Sequence, residues 1–249
     1  SLIVQTETDN PTVGSYTLFE VDLQGQVISG PVTNTFGPDI QNYDVHKSAT
    51  GLFGMSFEAN FGSDTDLQFN VFSDLNSSSV LGGFDNIVPT SASDFSSAVL
   101  SNGDVIGAFT RETVSTGNTV ISVQSFDATG TKQIDFVIDF GGNPGTNRDP
   151  SVVAFDGGFA VAFEARPFSF IASTDILVQF FDNAGNLTGG EIVSNPTLST
   201  TFVDDGSNDR DPHLTVAPDG NVVVTWTSDD GGVEDQQMVL ASDPNLPAI

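Results

Sequence analysis

This chain has no cysteine. No disulfide can staple it and no thiolate can act as nucleophile or metal ligand, so the fold must rest on its own core. Cations are nearly as scarce: Lys and Arg number 6 against 33 Asp and Glu, a formal net charge of −27. So few cations cannot neutralise phosphates, which excludes nucleic acid and anionic membrane surfaces as partners. No apolar run approaches the ~20 residues of a membrane-spanning helix, which excludes insertion by helices. The only histidines are His46 and His213, with no second His or Cys near either, so a zinc site is not expected. There is no basic, apolar leader and no initiator Met. The chain opens at Ser1 in a strand-like run, "SLIVQTET", which reads as a processed or trimmed piece of a larger chain or assembly.

What is present points to strands. There are 25 Gly and 12 Pro in 249 residues, and Val, Ile, Thr and Phe dominate the apolar runs. Two phrases recur along the chain. The first is an alternating run that ends in an aromatic at Phe57, Phe109, Phe163 and Trp226, spaced 52, 54 and 63 residues apart. "LIVQTET" is a further copy with Thr6 in the aromatic slot. The second is an apolar run ending in Asp, usually with Gly three positions on: Asp22, Asp74, Asp127, Asp182 and a weaker copy at Asp243. These aspartates are 52, 53, 55 and 61 residues apart. Two independent markers keep one period and lengthen together in the last interval.

Each unit reads as four strands. A short strand such as "DPSVVAF" leads to a Gly turn, where Gly supplies a positive φ at little cost. A second strand ends in the aromatic, a variable loop follows, and a third strand ends at the Asp-x-x-Gly turn before the fourth. Four antiparallel strands per unit of about 50 residues is the pattern of a β-propeller blade. The expected fold is therefore all-β, a propeller of about five four-stranded blades in one repeat domain, with units near 1–35, 36–88, 89–145, 146–200 and 201–249. A β-sandwich or an open repeat array is the alternative. The first unit lacks an opening strand and the last lacks a clear fourth one.

Several residue patterns carry candidate chemistry. The periodic aromatics could stack on sugars, but their period marks them as core wedges between blades. The Asp of each Asp-x-x-Gly turn supplies one carboxylate where calcium needs six to eight oxygens, so it reads as a turn aspartate accepting backbone N–H groups. Arg-Asp-Pro occurs twice, at Arg148–Pro150 and Arg210–Pro212. It reads as architecture: Pro150 and Pro212 start a blade's first strand, and Asp149 and Asp211 cap the turn before it. The acidic loop "FVDDGSNDRDPH" holds Asp204, Asp205, Asp209 and Asp211 and is the candidate Ca2+ site. It lies where the last repeat interval lengthens, and long loops often carry function. No Gly-x-Ser-x-Gly elbow supports a serine hydrolase. A glycosidase needs two carboxylates about 5–10 Å apart, a condition too easily met by chance among 33 acidic residues.

The unit from Asp149 to Asn195 resembles repeats of very large, acidic, secreted bacterial proteins of the calcium-associated RTX type. The matching residues are Pro150, Asp156-Gly157-Gly158, Phe163, Phe181-Asp182, Gly185, Gly190 and Asn195. The unit from Asp211 matches as far as Trp226, and the earlier units match in outline. The resemblance implies secretion or display on a bacterial cell surface. The expected function is then a non-enzymatic structural or adhesion module stabilised by Ca2+, with carbohydrate or another surface protein as partner. A glycan-binding lectin propeller is the second reading and a glycoside hydrolase or sialidase-like enzyme the third. The loops after the second strand, such as "RETVSTGN" and "EARPFSFIASTD", differ in length and composition, which opposes one repeated sugar site per blade.

Overall fold

A computed structural model describes residues 2–8, 15–35, 39–47, 53–60, 65–72, 80–84, 92–113, 118–127, 129–139, 146–166, 173–192, 208–230 and 233–241. These residues form strands and turns, without a helix among them.

The strands fall into five consecutive antiparallel sets. The first is β1 (Leu2–Thr8), β2 (Ser15–Val21) and β3 (Val27–Thr35). The second is β4 (Asp39–Lys47), β5 (Phe53–Asn60), β6 (Thr65–Phe72) and β7 (Val80–Phe84). The third is β8 (Ala92–Val99), β9 (Val105–Glu112), β10 (Thr119–Phe126) and β11 (Lys132–Ile138). The fourth is β12 (Thr146–Phe155), β13 (Gly158–Arg166), β14 (Asp175–Asp182) and β15 (Leu187–Ile192). The fifth is β16 (Asp209–Val216), β17 (Val222–Asp230) and β18 (Val233–Ala241). The third and fourth sets are joined by one parallel pair between β10 and β12, Thr119 with Thr146. The fourth and fifth repeat that contact between Thr174 and Asn208.

This is the all-β, propeller-type arrangement expected from the repeat. Apolar faces are stacked from blade to blade. Ala98, Ile106 and Ile121 of the third set meet Val161, Phe163 and Leu177 of the fourth. The other face of the fourth set, Ala160, Ala162 and Phe180, meets Leu214, Val224 and Trp226 of the fifth. That two-sided burial explains why β13 reads "GFAVAFEA" with no polar alternation. Phe57, Phe109, Phe163 and Trp226 are all buried, so the periodic aromatics are core.

Two repeated local features place the strands. The Asp-x-x-Gly turns close as their chemistry dictates. Asp182 Oδ1 accepts the Ala184 and Asn186 amides, both at 2.9 Å, and Gly185 takes φ +79°. Asp22 and Asp127 accept the equivalent amides in their turns. These hydrogen bonds favour the ionised form and hold Asp127 and Asp182 below the usual carboxylate range, led by the Thr129 hydroxyl and the Asn186 side chain respectively.

The second feature joins the blades. First strands β4, β8, β12 and β16 pack each against the next, so they line the axis where blades converge. Along them an oxygen of one blade accepts an amide of the following one. Asp44 Oδ2 takes Ser97 N at 3.4 Å, Ser96 Oγ takes Val152 N at 3.0 Å, and Ser151 Oγ takes Leu214 N at 2.9 Å. His213 stands in the same slot of the fifth set.

Candidate functional site

Just before that joint, each first strand bulges. The register breaks between Ser93 and Phe95, between Arg148 and Ser151, and between Arg210 and His213. At the break stand Asp94, Asp149 and Asp211, with φ of +49°, +50° and +54°. They are the positive-φ non-glycine residues among those described. A left-handed backbone costs most L-residues about 1–2 kcal/mol, and aspartate is among the few that adopt it, its short side chain bonding locally. Aspartate in all three bulges also puts a carboxylate at each. Bulges are frequent beside active sites, where they re-aim a side chain. Asp94, Asp149 and Asp211 thus hold equivalent bulge positions on β8, β12 and β16, which pack one against the next.

This corrects the architectural reading of Arg-Asp-Pro. Asp149 does not cap a turn, because β12 already begins at Thr146. Pro150 and Pro212 lie within strands, at bulges that leave their missing N–H without consequence. The bulge also turns the aspartate amide out of its own sheet toward the previous blade. Asp149 N donates to Thr110 Oγ1 at 3.2 Å on β9, and Asp211 N donates to Glu164 Oε1 at 2.9 Å on β13.

Glu164 draws a charged cluster around itself. Its side chain is only 2% exposed. Arg148 Nε donates to its Oε2 at 2.7 Å and lies 3.5 Å from Asp149 Oδ2. The Asp149 carboxyl beside this cluster is pushed up, to about 7. Burial is the largest cause, followed by the negative charges of Glu164 and Asp94, with Arg148 opposing. Arg148 is raised in turn, chiefly by its bond to Glu164. The next blade repeats the pair more openly: Arg210 Nε is 3.7 Å from Asp211 Oδ2, and that carboxylate is 71% exposed.

Of the candidate Ca2+ residues, Asp204 and Asp205 lie outside the described residues. Asp209 is buried at the start of β16, its amide donating to Thr174 O at 2.9 Å, while Asp211 stands at the β16 bulge with a left-handed backbone. Among the described residues no three His, Asp or Glu side chains gather as a metal site. Sequence reasoning missed Glu164 and the role of Asp94 and Asp149. The available signal was a slot: Thr110 and Glu164 both follow the periodic aromatic, and only one of them is charged.

No family profile matches the sequence, and no curated protein matches it. Solved structures do match in fold. An α-L-arabinanase of Penicillium chrysogenum complexed with arabinobiose superposes with a TM-score of 0.56 at 12% identity, over 82% of this chain and 63% of that one. A GH93 α-L-arabinofuranosidase of Fusarium graminearum with arabinobiose gives 0.58 at 11% identity over the same shares, 82% and 63%. A Dyadobacter fermentans protein of unknown function gives 0.51 at 9% identity, over 93% of this chain and 75% of that one. The chain therefore spans 63% of the length of either fungal enzyme. These neighbours overturn the resemblance to RTX-type repeats and the expectation of a non-enzymatic adhesion module. A period near 50 residues reports four strands and their turns, which enzymes and scaffolds share. What the comparisons establish for this chain is the propeller-type fold of structures that include arabinan- and arabinoside-cleaving enzymes.

Proposed function

We propose that this chain is the propeller part of a glycoside hydrolase acting on arabinose-containing carbohydrate. The observation that carries the reading is the recurrence of a left-handed bulge aspartate on three successive first strands, one of these aspartates holding its proton near neutrality. A general acid works best with a pKa close to the working pH. Asp149, protonated below about 7, is the group to donate a proton to the leaving glycosidic oxygen. Its partner in chemistry is not Glu164. Glycosidase carboxyls must face the sugar, whereas Glu164 is buried with its oxygens taken up by Arg148 Nε and Asp211 N. Asp94 is the better second carboxylate. It occupies the same bulge one blade earlier, and its charge is felt at Asp149. The fold neighbours solved with arabinobiose supply the sugar class.

The test is release of reducing sugar from linear arabinan and arabinobiose by the wild-type chain and by Asp149→Asn and Asp94→Asn. Loss of a general acid lowers turnover by about 10²–10⁴-fold. Equal release by the wild type and both variants, or none by any, would refute the assignment.

A further inference from the structure

Two positions in neighbouring blades form an internal control. Thr110 and Glu164 each follow the buried aromatic of a second strand, and each accepts the amide of the next blade's bulge aspartate. A neutral hydroxyl makes that joint at Asp149. The joint at Asp211 therefore does not need a carboxylate. Burying one anyway is expensive, because a charge removed from water must be compensated by partners. Glu164 has such a partner beyond the joint: the Arg148 guanidinium on Oε2, which itself lies 3.5 Å from Asp149 Oδ2.

We infer that Glu164 is a positioning residue, whose carboxylate aims Arg148 alongside Asp149 and ties that pair to the following blade through the Asp211 amide. The inference rests on the proposed role of Asp149, but its physical content stands apart from any substrate. Arg148 Nε sits between the two carboxylates, nearer Glu164, so the guanidinium is pinned by the buried group and only approached by the half-open one. The other groups facing Asp149 are Asp94 from β8, Arg148 from its own strand and Thr110 from β9. The raised proton affinity of Asp149 agrees with this arrangement, since a carboxylate beside a carboxyl favours retention of the proton.

The experiment compares wild type, Glu164→Thr and Glu164→Gln by carbon-detected NMR titration of Asp149, assigned through Asp149→Asn, alongside thermal melting. Threonine restores the Thr110-type joint without charge. Glutamine keeps an acceptor for Asp211 N and the reach toward Arg148. The expected result is that both variants stay folded and that the Asp149 midpoint falls by roughly one pH unit or more in each. If hydrolysis is measurable, the alkaline limb of its pH profile falls with it. A midpoint unchanged in both variants would overturn the inference, as would a midpoint unchanged in Glu164→Gln when Glu164→Thr fails to fold. A chain that cleaves no sugar while the midpoint moves would instead remove the proposed function and leave the positioning role intact.

Discussion

Replacing Asp149 by asparagine should make the protein more stable in weak alkali. The folded chain holds the Asp149 proton up to about 7, whereas the free side chain loses it near 3.8. With the folded value raised, stability is fully present below 3.8 and is lost as pH climbs from there to about 7. The difference is about three units at ~1.36 kcal/mol each, or about 4 kcal/mol for a fully sheltered group. Asp149 is 34% exposed, and solvent screening cuts the effect to about 2 kcal/mol. Asparagine imitates the protonated carboxyl and does not titrate, so at pH 8 the variant should gain that amount. For a chain of 249 residues this raises Tm by roughly 4–8 °C. At pH 5 the gain should shrink to about a third, because the wild type has lost only that share. Melting both proteins by circular dichroism at pH 5 and pH 8 measures the two increments, and pH 5 stays above the sequence pI of about 4.1. The other carboxylates cancel between variant and wild type. Equal increments at both pH values, or a variant less stable at pH 8, would refute the reasoning.

Two further substitutions test the scaffold beneath the site. Gly158→Ala would drive its Cβ into the Phe181 carbonyl oxygen and should abolish soluble expression, while Gly157→Ala, with open space around it and φ +91°, should cost only about 1–2 kcal/mol of backbone strain by urea unfolding. Ser151→Ala removes the acceptor of the buried Leu214 amide and should cost about 1–3 kcal/mol in the same assay.

The parts of this molecule that were legible in its sequence are local. Asp22, Asp127 and Asp182 bond amides two and four residues on, so the spacing of Asp and Gly contains the whole interaction. The aromatic slots repeat because every blade buries one face against the next. The site is legible only in part, since its groups come from different blades. Asp94 and Asp149 are 55 positions apart, and Glu164 meets Asp211 across 47. Arg-Asp-Pro looked like a strand boundary because proline usually marks one. A bulge tolerates proline equally well, and the left-handed aspartate before it leaves no trace in composition. The net charge is silent on which carboxylates are buried: Glu164, Asp175 and Asp209 are, and Glu164 stands where a threonine serves the neighbouring joint.

The oxygen-to-amide joint between first strands asks very little of the residue that makes it. Aspartate, serine and serine fill the slot at 44, 96 and 151, and histidine occupies it at 213. Any short side chain with a lone pair suffices, because the partner is a main-chain N–H that every residue but proline carries. Blades linked in this way are interchangeable parts. A unit can be duplicated, lost or replaced by a divergent relative without redesigning its neighbours, while the bulge two residues upstream is free to carry aspartate or something else. Assembly and chemistry are written in adjacent positions of the same strand, and they can change independently.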